Sequence, residues 1–218
     1  MSSAAGTLER TISAQLITRI RQRILSGAYA AGAPLVQDTL AAEFGVSKIP
    51  VREALVQLSA EGLIDGHAHR GFQVRPTSVA ELDELFRLRV RIEPEAVAIG
   101  ATLASVDERR AVQDLLAQLN QATDAQDPAV PELNRAFHLA LVAPAQQPIT
   151  AEVLGRLLVR SQRYVYQHLV PQGRARRARA EHNQLCRSWL RRDLDALRAA
   201  VQQHIEQTHD DLRRSLGA

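Results

Sequence analysis

The chain has 218 residues, 4% of them aromatic, and a formal net charge of +3 at pH 7. Its apolar runs are far shorter than the roughly 20 residues of a membrane-spanning helix, which excludes a transmembrane protein. The scarcity of aromatic side chains argues against the stacking surfaces that bind single-stranded nucleic acid. Because the start of the sequence has no charged and apolar secretion-signal regions, and the single Cys186 cannot form an internal disulfide, we expect a cytoplasmic protein.

The first part of the chain alternates short helices with turns and ends in a hairpin. Apolar periodicity, together with Gly45 and Gly62 as helix stops and Ser47 as a helix cap, places these elements. We predict, in chain order, helices at 16–25, 40–44 and 47–61 and a hairpin over 63–74. Two short helices joined by a glycine turn and followed by a hairpin have the layout of a winged helix-turn-helix.

The third predicted helix has a polar, basic side at its amino-terminal turn. Apolar residues at a spacing of three and four occupy the inner face of this helix, and the residues left pointing outward are Ser47, Lys48, Ile49 and Arg52. This end of a recognition helix enters the major groove of DNA. An ordinary helical hairpin with a solvated basic edge explains the same periodicity, and spacing by itself does not decide between the two.

After Pro76 the pattern becomes wholly helical, and we predict two domains, 1–76 and 77–218. Capping-box spacings at Ser78 with Glu81 and at Ser105 with Glu108 begin helices at 79 and 106. Further helices are predicted at 131–142, 149–170, 176–191 and 194–215. The predicted fold class is therefore mainly α, with a winged helix-turn-helix followed by an all-α helical bundle.

Arg89 lies on an otherwise apolar face of the first helix of the second domain. A buried arginine needs a partner. An ion pair with Glu93, one turn further along, is one interpretation. The functional interpretation is that Arg89 holds the carboxylate of a small organic acid through two hydrogen bonds.

Four candidate metal-binding residues lie on three of the later predicted helices: Asn134, His138, His182 and His204. The first two are one helical turn apart and project together. Three imidazoles and an amide oxygen suit a divalent metal such as zinc or nickel. A single histidine is more commonly an ordinary core or surface residue, so the spacing alone does not establish a site.

Residues 15–75 closely resemble the GntR family of bacterial regulators. The segments that carry the resemblance are Gly27–Gly32, Leu40–Ala41, Phe44–Leu55, Leu58, Glu61–Ile64 and Arg70–Gly71. The resemblance implies that the outward residues of the third helix contact an operator, and that a wing tip reaches the minor groove through His69, Arg70 and Gly71. Lys48 and Ile49 stand where the family usually has Arg and Thr, and Asp38 stands where a DNA-contacting Arg is common. We therefore expect an operator that is unusual for the family.

The second domain resembles the FCD ligand-binding domain of the FadR-type subgroup, in its six-helix, VanR-like variety. The matching segments are Arg89–Glu93, Asn134–His138, Glu181–His182 and Asp193–His204. This resemblance implies a divalent metal bound by His138, His182 and His204, with Asn134 in place of an Asp and a carboxylate effector completing the coordination. Because the amide of Asn134 is neutral, we expect weaker metal binding than an aspartate gives.

The predicted function is that of a homodimeric DNA-binding transcriptional regulator, a repressor of genes behind a palindromic operator. A small organic acid in the helical domain modulates its affinity for double-stranded DNA. A small helical metal enzyme is the competing class, because three histidines around a metal can activate water. That class has no evident general base beside the histidines and leaves the winged helix unexplained, so we predict no enzymatic activity. A dedicated metal sensor is a third possibility.

Overall fold

The computed structural model describes residues 2–67, 71–166 and 174–217. The chain divides into two compact units, Met1–Thr77 and Ser78–Ala218. Within the described ranges, none of the helices is both long enough and apolar enough to cross a lipid bilayer. The predicted fold class is confirmed, because the first unit is a winged helix-turn-helix and the second consists of helices.

The first unit contains three helices and a small sheet. Its elements are α1 (Ser2–Leu25), β1 (Pro34–Leu35), α2 (Gln37–Phe44), α3 (Lys48–Ala60), β2 (Ile64–His67) and β3 (Gly71–Val74). The strands are antiparallel in the order β1-β3-β2. The predicted helices and hairpin are present. Two features differ from the prediction: α1 begins well before residue 16, and β1 is a strand of two residues, too short for any periodicity to reveal.

Helix α3 is held against α1 by apolar packing and one ion pair. Ile20 and Ile24 of α1 and Leu55 of α3 are fully buried, and Arg21 of α1 pairs with Glu61 after α3 at 2.7 Å. Gly45 ends α2 with φ 67°, the left-handed conformation expected of a glycine stop. The hydroxyl of Ser47 makes no capping hydrogen bond, although Ser47 occupies the predicted N-cap position. Packing of its inner face therefore fixes α3 and leaves the opposite face exposed.

The second unit has six α-helices in its described residues. They are α4 (Val79–Leu103), α5 (Val106–Asp124), α6 (Val130–Val142), α7 (Pro148–Tyr164), α8 (Ala175–Arg191) and α9 (Leu194–Ser215), with a 3-10 turn at Ala143–Ala145. The six predicted helices match these closely. Residues 167–170 at the end of the fourth predicted helix lie outside the described residues.

Helix α4 packs tightly against α6 at Gly100. A Cβ atom at this position would overlap the carbonyl oxygen of Leu141, a backbone atom of α6. The same carbonyl oxygen accepts a hydrogen bond of 3.1 Å from the buried indole of Trp189 on α8. Helices α4, α6 and α8 therefore meet at one backbone atom. The lack of a side chain at Gly100 permits this close approach.

The two predicted capping boxes differ in the structure. Ser105 and Glu108 form the complete reciprocal pair. At the start of α4, Ser78 accepts from the amide of Glu81 as predicted, but the carboxylate of Glu81 accepts a hydrogen bond from the hydroxyl of Tyr164 on α7 instead, at 2.9 Å. The amide of Ser78 donates to the same hydroxyl, at 3.1 Å. The prediction of a capping box at Ser78 is therefore half wrong. The amide of Ser78 donates to the hydroxyl of Tyr164 instead of the carboxylate of Glu81.

Candidate operator-binding turn and buried histidine cluster

The first turn of α3 presents the predicted recognition residues to solvent. We call Ser47, Lys48, Ile49 and Arg52 the recognition turn; all four are exposed. Lys48 forms an ion pair of 2.5 Å with Asp38 on α2, and each side chain is 67% exposed. Asp38, which reverses the charge that is usual for the family at its position, thus neutralises Lys48. The turn offers Arg52 for hydrogen bonds to base edges or phosphate and Ile49 for apolar contact with a thymine methyl group.

The wing is only partly described. Gly71 begins β3 with φ 82°, a left-handed conformation that favours glycine. It pairs with His67 of β2 at the tip of the hairpin. The other two predicted wing residues, His69 and Arg70, lie outside the described residues.

Three histidines from different helices of the second unit converge in its interior. His138 of α6, His182 of α8 and His204 of α9 form what we call the histidine cluster. All three are buried, and one ring nitrogen of each lies within 4.8 Å of the others. The three residues are separated by 44 and 22 positions in the sequence, so only the helix packing brings them together.

Two carboxylates orient the histidine cluster from outside. The Nδ1 atom of His138 lies 2.8 Å from Glu93, and the Nδ1 atom of His204 lies 2.7 Å from Glu181. Each carboxylate accepts from a protonated Nδ1, which leaves the Nε2 lone pair of the same ring available. The Nε2 atom of His182 is buried and has no hydrogen-bond partner among the described residues. The cluster therefore offers nitrogen lone pairs in the arrangement that metal-binding histidines require.

Burial favours the neutral form of His182 and His204. It is the main reason that the pKa values of His182 and His204 lie well below the usual value for histidine, and neighbouring imidazoles act in the same direction. Burial alone would raise the pKa of Glu93, but Arg89 and His138 outweigh this effect and hold that pKa well below its usual range. The cluster thus combines two neutral imidazoles with an ionised carboxylate behind the third.

Arg89 takes part in this arrangement through Glu93. Its Nε donates a hydrogen bond of 2.9 Å to Glu93, and the two side chains are 5% and 1% exposed. Glu93 therefore bridges Arg89 and His138. Arg89 also lines a cavity beside the cluster, so the residue both belongs to the ion pair and borders the candidate ligand site.

The cavity has a volume of about 530 Å³ and lies among α4 to α8. Besides Arg89, its lining includes the half-buried Asn134 and the buried His182. Its walls are largely apolar, formed by Leu119, Val130, Pro131, Leu158, Val165 and Ala178. A volume in this range is typical of sites for small organic molecules. The cavity therefore joins the histidine cluster to a space that an organic ligand can occupy.

Two lining residues were not anticipated from the sequence. Gln162 comes from the buried face of α7, and Arg174 stands before α8, where it pairs with Glu181 at 3.3 Å and Asp211 at 3.0 Å. Burial lowers the pKa of Arg174 to about 10, although Glu181 acts in the opposite direction. Apolar periodicity places Gln162 on the inner face of its helix, but no local pattern indicates which side chains it meets.

The donor set of the histidine cluster fits a divalent metal. Neutral imidazoles are the nitrogen ligands that zinc and nickel prefer, and carboxylates that hold the remote ring nitrogen are their common supports. His138, His182 and His204 would hold such an ion. Asn134 lines the same cavity one helical turn from His138, and its role as a neutral fourth donor stays a prediction.

Comparison with known proteins gives the same assignment for both units. The model of the gntR family of bacterial regulatory proteins matches residues 12–74, and that of the FCD domain matches residues 84–207. The chain is 30% identical over 165 residues to the HTH-type transcriptional regulator McbR of Escherichia coli, covering 74% of this chain and 75% of that protein. The HTH-type transcriptional repressor RspR of Escherichia coli is 25% identical over 207 residues, covering 93% of this chain and 90% of that protein.

A solved structure of E. coli McbR/YncC superimposes with a TM-score of 0.77 at 26% identity, covering 94% of this chain and 98% of that chain. Its match extends over both units. Together with the two family models, this likeness establishes the kind of protein. The chain belongs to the GntR family, carries an FCD domain, and is a transcriptional regulator rather than an enzyme.

Proposed function

We propose that this regulator is a homodimeric repressor whose affinity for an inverted-repeat operator depends on a small organic acid bound in the FCD domain. It would act in the cytoplasm, on the double-stranded DNA of its host. The observation that carries the ligand-binding part is the convergence of three buried imidazoles beside a cavity of about 530 Å³. The repressor assignment is supported by similarity to RspR, which is named a transcriptional repressor.

The recognition turn is the proposed contact with operator bases. Its four residues are exposed at the amino-terminal end of α3, as a helix that enters the major groove requires. Gly71, together with His69 and Arg70, is the proposed wing contact with the minor groove. A dimer presents two such helices to two half-sites, so operator symmetry follows from protein symmetry.

The proposed effector site combines the histidine cluster with Arg89 and Asn134. A divalent cation bound there would supply a positive centre that attracts a carboxylate. Arg89 stabilises the site through Glu93 and presents its guanidinium to the cavity. We assign the domain to the six-helix, VanR-like variety, an assignment supported by the six α-helices of the described residues.

Regulation follows from unequal affinity for two conformations. An acid that binds one conformation of the helical domain more tightly shifts the population toward that conformation. The acid's preference for one conformation over the other sets the largest change in operator affinity that it can cause. Since the acid and the DNA bind at different sites, DNA must affect acid binding to the same extent.

A gel-shift titration tests this proposal. The probe is the DNA upstream of the regulator's own gene, with zinc or nickel and a panel of carboxylic acids added separately and together. We expect a specific shift that an acid weakens only when metal is present. Weakening by metal alone would identify a metal sensor instead, and no shift at any condition would contradict operator binding at this locus.

Elemental analysis of the purified protein tests the metal component. We expect substoichiometric zinc or nickel, because Asn134 supplies no charge, and occupancy that falls further in His138→Ala. Asn134→Asp is the matched variant and is expected to raise occupancy. A metal-free wild-type protein whose response to acids is unchanged in His138→Ala would defeat the metal proposal.

A further inference from the structure

Gln162 has a fixed orientation at the wall of the cavity. Its side chain is buried, and its amide nitrogen donates to the backbone carbonyl of Pro131 on α6. A carbonyl oxygen only accepts hydrogen bonds, so the NH₂ group must face Pro131 and the amide oxygen must point away from it. The hydrogen bond to α6 thus fixes the orientation of the amide and leaves its oxygen available for another partner.

The amide oxygen of Gln162 is left without a partner. It is buried, and among the described residues nothing donates to it. A buried acceptor that lacks a donor is costly, and native proteins keep few of them. Since Gln162 lines the cavity, a donor on a bound molecule is the partner that would satisfy this oxygen.

The surroundings narrow the chemistry of that donor. Each arginine of the described lining already pairs with a carboxylate: Arg89 with Glu93, Arg174 with Glu181 and Asp211, and Arg179 with Asp124. The lining itself contributes the carboxylate of Asp127, which is exposed, so a ligand ammonium group would find no buried counter-charge among the described lining residues. A neutral hydroxyl donates without that penalty, and the apolar walls leave room for a hydrocarbon body.

We propose that Gln162 selects the effector by accepting a hydrogen bond from a hydroxyl group on an organic acid with an apolar body. This inference rests on the proposed function, because the carboxylate of the same acid is directed to the histidine cluster and Arg89. In such an acid, the number of atoms between the hydroxyl and the carboxylate must match the distance between Gln162 and the histidine cluster. A short acid without an apolar body fills little of about 530 Å³.

Calorimetric titration of the full-length, zinc-loaded protein tests the inference. The probes are octanoate and phenylpropanoate, each compared with its monohydroxylated forms at every position along the body. We expect at least one hydroxylated acid to bind about tenfold more tightly than its parent, because the parent leaves the oxygen of Gln162 unsatisfied. This comparison uses the unaltered chain and depends on no variant folding.

Two variants locate the effect. In Gln162→Met, which retains the volume of the side chain but no acceptor, we expect the gain from hydroxylation to fall below about threefold while the parent acid still binds. Gln126→Met, at an exposed position on the same cavity, is the matched control and is expected to keep the full gain.

The outcomes separate this inference from the proposed function. Binding of the parent acids with no gain from any hydroxyl position would overturn the role of Gln162 and leave the effector site intact. A gain that persists in Gln162→Met would overturn it as well. Absence of binding by every acid, hydroxylated or not, would overturn the proposed effector site together with this inference.

Discussion

Two ion pairs in this regulator have similar lengths and opposite surroundings. Lys48 and Asp38 meet at 2.5 Å on the surface of the DNA-binding unit, each 67% exposed. Arg89 and Glu93 meet at 2.9 Å inside the FCD domain, almost fully buried. An exposed pair is screened by water and salt and contributes little to stability. A buried pair costs much to form but far more to break, because one charge is then left without compensation.

Because of this difference, substitutions at the two ion pairs are expected to have different consequences. The surface pair lies beside the proposed operator-binding turn, where a substitution is expected to alter DNA affinity and leave the fold intact. The buried pair supports His138 through Glu93, so a change there alters the site and the fold together. We therefore expect substitutions near the recognition turn to cost less stability than substitutions in the scaffold of the histidine cluster.

The largest expected effect is that of Glu93→Gln. Removing this charge leaves the buried guanidinium of Arg89 uncompensated and weakens the support of His138. We expect the free energy of unfolding of chelator-treated protein, measured in urea, to fall by about 3–5 kcal/mol. Glu95→Gln, on the same helix but in an exposed pair with Arg198, is the control and should leave it unchanged within error. Equal effects of the two variants would refute the contrast.

Gly100→Ala tests how rigid the buried scaffold is. The added methyl group meets a backbone carbonyl of α6, which cannot rotate aside as a side chain can. We expect a loss of about 1–3 kcal/mol in the free energy of unfolding and weaker zinc binding, since α4 and α6 carry Glu93 and His138. Gly155→Ala, where a Cβ meets only ordinary contact distance, should instead stabilise helix α7 slightly. Unaltered zinc affinity in Gly100→Ala would show that the cluster tolerates a wider helix spacing.

Arg52→Ala tests the recognition turn. Loss of one good base contact lowers specific operator affinity by about 1–3 kcal/mol, which fluorescence anisotropy with labelled operator can measure. Urea unfolding should be unchanged, because the side chain is exposed. Arg156→Ala, an exposed arginine of the FCD domain, controls for the lost charge. Operator binding equal to wild type in Arg52→Ala would remove this residue from the interface.

Asp38→Asn is expected to have the smallest effect. The substitution releases Lys48 from its carboxylate partner, so an additional cation becomes available to DNA phosphates. We expect operator affinity to rise about threefold and the slope of log affinity against log salt concentration to steepen by about 0.9. A lower affinity would mean that Asp38 accepts a hydrogen bond from a base, as a carboxylate can from cytosine.

The sequence predicts the secondary structure well because its signals are local. Helix stops such as Gly45 and the complete capping box at Ser105 depend only on nearby residues. Strand β1 was not predicted, because a segment of two residues is too short to show a periodic pattern. It is a strand because it pairs with β3. Likewise, no apolar periodicity predicts the extension of α1 to Ser2.

The histidine cluster was predicted only in part. Its three histidines follow from family resemblance, whereas their supporting carboxylates, Glu93 and Glu181, come from contacts between helices. For Arg89 the sequence left an internal ion pair and a ligand contact as alternatives, and the structure forms the first while leaving the guanidinium at the cavity wall. Gln162 illustrates the limit: an inward position is readable from periodicity, but an unsatisfied oxygen is a property of packing.

The hydroxyl of Tyr164 gives the start of helix α4 two ways of satisfying the same amide. Ser78, the first residue after the DNA-binding unit, now donates to Tyr164, yet Glu81 stands at the spacing that would let its carboxylate accept the same hydrogen bond. Gln162, at the cavity wall, precedes Tyr164 by less than one helical turn. A movement of α7 away from α4 would therefore leave the Ser78 amide a replacement acceptor in Glu81, while the hydroxyl of Tyr164 would lose its contacts with both residues.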